Sequence, residues 1–63
     1  MTHDQQTVLS AYDDIVKKLF CTLFDAYAQD EGDANQEKLA DQRFAVGVAA
    51  ARRARDRAVG LSA

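Results

Sequence analysis

The chain has 63 residues, 48% hydrophobic and 29% charged, with no proline or tryptophan and a formal net charge of -2. That is one small domain at most, too apolar for intrinsic disorder and without the run of ~20 apolar residues that spans a bilayer. So short a chain buries only ~60% of its unfolded surface, and one cysteine with one histidine supplies neither an internal disulfide nor a structural metal site, which leaves self-association as the supplement to its core.

Met1-Thr2-His3-Asp4-Gln5-Gln6 lacks the basic and apolar regions of a secretory signal, so a soluble cytoplasmic protein is expected. Thr2 and Gln5 have the spacing of a capping box, which predicts a first helix over about residues 4–28. At 100° per residue Val8, Leu9, Tyr12, Ile15 and Val16 share one arc of roughly 140° with Leu19, Phe20, Leu23, Ala26 and Tyr27. Asp13, Asp14, Lys17, Lys18 and Asp25 lie opposite. Such a stripe of large side chains is helical, since strict two-residue alternation is absent.

The polar cluster at 29–33 contains Gly32 and reads as a turn. Asp33 and Gln36 repeat the capping spacing, predicting a second helix over about 34–59 with Gly60 as a left-handed C-terminal cap. The short turn makes the helices antiparallel. The inward stripe of the second helix is small: Ala40, Gly47, Ala51, Ala54 and Ala58, flanked by Leu39, Phe44, Val46 and Val48. Large residues on one helix then face small ones on the other. One partner helix cannot cover an arc of ~140°, so the expected architecture is all-α: an antiparallel hairpin that dimerises into a four-helix bundle. The expected dimer interface comprises Tyr12, Val16, Leu19, Phe20 and Leu23 with Tyr27, Phe44, Gly47 and Ala51.

Charge is divided along the sequence. Residues 1–42 hold nine acidic and three basic residues, a balance of -6, and residues 43–63 hold five arginines against Asp56, a balance of +4. Arg52, Arg53, Arg55 and Arg57 are candidate contacts for nucleic acid or an acidic partner. The helical wheel spreads them over about 200°, however, and the hairpin brings them beside Asp4, Asp13 and Asp14, which predicts structural charge pairing. Arg43 falls on the small stripe, where it should pair with a carboxylate, reach out along its aliphatic stem, or contact a partner.

Chemistry is sparse. Cys21 lies on the polar arc near Asp14 and Asp25, which discourage a thiolate, and His3 is about 27 Å away along a straight helix. The acidic turn Asp30-Glu31-Gly32-Asp33 lacks the ligand spacing of a calcium loop, and two glutamates without Glu-x-x-His make no di-metal bundle site. With no nucleophile and base pair and too little volume for a walled pocket, neither an enzyme nor a cofactor or metal is expected. Tyr12 and Tyr27 read as core or interface aromatics with hydroxyls at the rim.

A Met1-Thr2 start, Thr7, Leu9, Ile15, Leu23 and an acidic turn near Asp30 make the chain similar in layout to the repressor-of-primer (Rop) family. That resemblance implies an antiparallel four-helix bundle of two hairpins and binding of RNA loop pairs. The RNA face of that family is built from basic and polar residues of the first helix with a phenylalanine; here that face carries Asp13 and Asp14 beside Lys17 and Lys18, so no functional residue carries over. The expected function is therefore a small homodimeric, or larger, regulatory protein acting through protein contacts, with nucleic-acid binding by the arginine cluster as the second reading.

Overall fold

The computed structural model describes the backbone of all 63 residues and every side chain but that of Asp30. It consists of two helices of 28 residues each, α1 (His3–Asp30) and α2 (Ala34–Leu61), packed against each other, with no strand among the described residues. The capping box forms: the Thr2 hydroxyl accepts from the Gln5 backbone N–H at 3.1 Å, and the Gln5 side chain accepts from the Thr2 N–H at 3.0 Å. Asp33 caps α2 by accepting from the N–H groups of Asn35 and Gln36. Each cap satisfies amides that the first turn of a helix leaves unpaired, worth typically ~1 kcal/mol.

The C-terminal ends differ from expectation. α1 continues to Asp30, and the turn is the three residues 31–33, with Glu31 (φ 48°) and Gly32 (φ 88°) both left-handed. Gly60 is not a left-handed cap but lies inside α2. Ser62 closes that helix instead: its N–H donates to the carbonyls of Ala58 and Val59, and its hydroxyl donates to Ala58 at 2.8 Å. Those bonds satisfy the terminal carbonyls without a left-handed residue.

The seam follows the predicted stripe on α1, where Leu9, Tyr12, Val16, Leu19, Leu23 and Ala26 are half-buried. On α2 it runs through Ala40, Phe44, Gly47 and Ala51, and then passes to Arg55 and Ala58. Ala54, expected to face inward, is exposed. A straight helix of 3.6 residues per turn drifts ~20° per heptad, which carries the contact line from the 54 position to the 55 position by the end of α2.

The result is a single layer, 45 × 15 × 9 Å. Its radius of gyration is 14.6 Å, against ~10.6 Å for a compact domain of this length. Ala40, at 8% exposure, is the one buried residue among those described. Accessible surface totals 4824 Å², where a globular monomer of 6.9 kDa exposes about 4,000 Å².

Candidate interaction surfaces

Pairing across the hairpin follows from the turn. The hydrogen-bonded partners Thr2 and Ser62, Gln5 and Val59, and Tyr12 and Arg52 each have residue numbers summing to 64. Towards the turn, the Tyr27 hydroxyl donates to the Asp41 carboxylate at 2.5 Å. That bond raises the Tyr27 phenol to about 12, because ionisation would remove the donated proton; partial burial and the negative charges of Asp41 and Glu37 act in the same direction.

The arginine cluster is not one ridge. Arg55 lies over the Tyr12 ring, 4.4 Å from its centroid, and its Nε pairs with Asp56 at 3.0 Å. The Arg52 Nε donates to the Tyr12 hydroxyl at 3.4 Å. No ion pair joins the cluster to Asp4, Asp13 or Asp14 among the described residues, so an aromatic ring takes the role expected of those carboxylates. Tyr12 sits directly across from Arg52, whereas the acids at 13 and 14 point round to the outer side of α1, where Asp14 meets Lys17 at 3.9 Å. Arg53 and Arg57 remain exposed on the outer flank of α2 and make no hydrogen bond or ion pair among the described residues. The hub formed by Tyr12 went unpredicted. The signal for it was the number sum set by the position of the turn.

Two apolar surfaces flank the seam and share side chains with it. One is a groove along the hairpin. In its terminal half Val8, Ala11, Ile15, Ala51, Ala54 and Ala58 line a recess of about 190 Å³, with Tyr12 and Arg55. In its turn half Leu19, Thr22, Ala26, Ala40 and Phe44 line a smaller recess of about 60 Å³, with Arg43 and Leu23. Arg43 is exposed at the edge of this recess, with no ion pair among the described residues. The other surface is a patch from α1 alone: Phe20, Leu23, Phe24 and Tyr27, with Phe20 57% and Phe24 61% exposed. Of the nine residues expected in a dimer interface, Tyr12, Val16, Leu19, Leu23, Phe44, Gly47 and Ala51 are half-buried in the intrachain seam, while Phe20 and Tyr27 are exposed.

Cys21 is exposed and free. No three His, Cys, Asp or Glu side chains are grouped as metal ligands among the described residues, and no helix is long and apolar enough to cross a membrane. No protein-family model, curated protein or solved structure matches the chain, so the resemblance to the Rop family rests on hairpin layout alone.

Proposed function

We propose that the chain is a small cytoplasmic, non-enzymatic protein that works through protein–protein contacts as a homodimer, two hairpins packing as a four-helix bundle. One observation carries the reading: a hairpin with 4824 Å² of accessible surface exposes about 800 Å² more than a globular monomer of its mass. That excess equals what one partner contributes to a standard protein interface, ~800 Å². Sedimentation equilibrium at micromolar concentration should give about twice 6.9 kDa, or a larger multiple, with a melting temperature that rises with protein concentration because dissociation accompanies unfolding. A folded monomer whose mass and melting temperature are independent of concentration overturns the reading.

Polyanion binding is the second reading, favoured by the exposure of Arg53 and Arg57 on one flank of α2 without a partner among the described residues.

A further inference from the structure

We infer that the second copy docks along the groove face, and that the Phe20–Phe24–Tyr27 patch is left outward on the assembled dimer. This rests on the homodimer reading and goes beyond it by choosing between the two broad sides of a flat molecule.

Hydrogen bonding distinguishes those sides. The α2 side chains bonded to α1 away from the helix ends are those of Asp41 and Arg52. At 100° per residue they fall within about 20° of one another. Groove residues Arg43, Ala54 and Ala58 lie about 100° to 160° from that line on the same wheel. Polar bridges therefore close one side of the hairpin, and a partner lying there would have to desolvate the Tyr27–Asp41 and Arg52–Tyr12 pairs. On the other side most of the lining is aliphatic or small, with the rings of Tyr12 and Phe44 between, and charge is limited to Arg43 in the turn half and to Arg55, stacked on Tyr12, in the terminal half. Interface cores are likewise depleted in charge.

Length points to the occupant. The groove has recesses in both halves of a 45 Å rod, whereas the aromatic patch comes from one helix between Phe20 and Tyr27. A body as long as the hairpin fits the first, and a second hairpin is such a body. The partner must also be present whenever the chain folds, since a layer with one buried residue does not sustain itself. A second copy is made whenever the chain is made, and a two-fold interface uses the same face of each protomer.

Alkylation of single cysteines tests the assignment. In a Cys21→Ser background, Ala54→Cys and Ile15→Cys place a thiol on each wall of the groove, and Phe24→Cys places one in the aromatic patch. Maleimide labelling rates are compared well above and well below the dimer dissociation concentration, with sedimentation of each variant alongside. Groove thiols should slow by at least about tenfold in the associated state while the thiol at position 24 keeps its rate, since only covered thiols inherit the dissociation equilibrium. Two groove probes guard against one that disturbs association. If dimers form and the thiol at position 24 is the protected one, or no groove thiol is protected, the face is wrong and the homodimer stands. If sedimentation finds a folded monomer throughout, the homodimer reading itself fails, and a groove of that kind belongs to a partner of different sequence.

Discussion

At Gly47 the seam has no spare room: a Cβ built there would lie 2.9 Å from Leu19 Cδ2 and 3.2 Å from Cδ1. Alanine would gain ~1 kcal/mol of helix propensity, and whether it stabilises depends on how easily the tip of Leu19 swings aside. Leucine leaves no such choice, so Gly47→Leu should cost about 1–3 kcal/mol in urea denaturation at fixed protein concentration. Combining it with Leu19→Ala should be less than additive, with a coupling of about 0.5–3 kcal/mol, because the shortened side chain vacates the space. An additive pair would separate the two residues. Tyr27 allows a second measurement, optical and independent of stability. Its raised phenol pKa means that the bond to Asp41 contributes fully below the ordinary value of 10.0 and is lost as pH climbs through about 12. In Tyr12→Phe the remaining tyrosinate absorbance at 295 nm should titrate near 12, and adding Asp41→Asn should bring it back towards 10.0. Coincident titrations with and without the carboxylate would rule out the bond.

Between the helices, Glu31 at φ 48° and ψ 45° occupies a conformation that costs an L-residue with a Cβ roughly 1–2 kcal/mol. Glycine removes that cost and returns about 0.5–1 kcal/mol through the entropy of the unfolded chain. Glu31→Gly should therefore raise stability by up to about 1 kcal/mol, seen as a higher urea midpoint at unchanged slope; a lower midpoint would mean that the carboxylate has a role in the turn. The same residue explains what was legible in the sequence. Starts of both helices were readable because Thr2 with Gln5, and Asp33 alone, carry side chains suited to unpaired amides. Ends were not: α1 runs two residues past the expected stop at 28 and enters the turn on a left-handed Glu31, and α2 runs through Gly60 and finishes on the Ser62 hydroxyl. Of the apolar stripe of α1, Leu9, Tyr12, Val16, Leu19, Leu23 and Ala26 face α2 as read, while Ile15, Phe20 and Tyr27 stay exposed, as an arc too wide for one partner helix requires. On α2 the reading slipped at Ala54, where a stripe spaced by sevens parts from a straight helix. Engagement of Arg52 and Arg55 by Tyr12 was illegible from composition or helical wheels, since it depends on the register across the turn.

At the scale of the whole molecule, charge distribution bears on the two functional readings and favours protein contacts. Residues 25–41 hold six carboxylates against Lys38, so the turn end of the rod carries a balance of -5. Arginines at the far end are offset by Asp4, Asp13, Asp14 and Asp56, and two of the four are already committed to Tyr12 or Asp56. That leaves Arg53 and Arg57, on the outer flank of α2, as the exposed cations of the cluster without a hydrogen bond or ion pair among the described residues, beside an exposed Arg52 bonded only to the Tyr12 hydroxyl. A nucleic acid following the 45 Å rod beyond that end would meet the acidic turn, and at physiological salt repulsion extends over a Debye length of ~8 Å. Three accessible arginines at one end release too few counterions for tight binding. Titrations of RNA and DNA should therefore reveal no submicromolar complex at physiological salt, and Arg53→Ala with Arg57→Ala should leave both that result and the fold unchanged. Were phosphate the true ligand, log affinity would fall against log salt by about 0.7 to 0.9 per phosphate neutralised, and the double substitution would lower that slope by up to about two units. Submicromolar, salt-dependent binding that weakens in this way would replace the protein-contact reading with the polyanion one, whichever face the second copy covers.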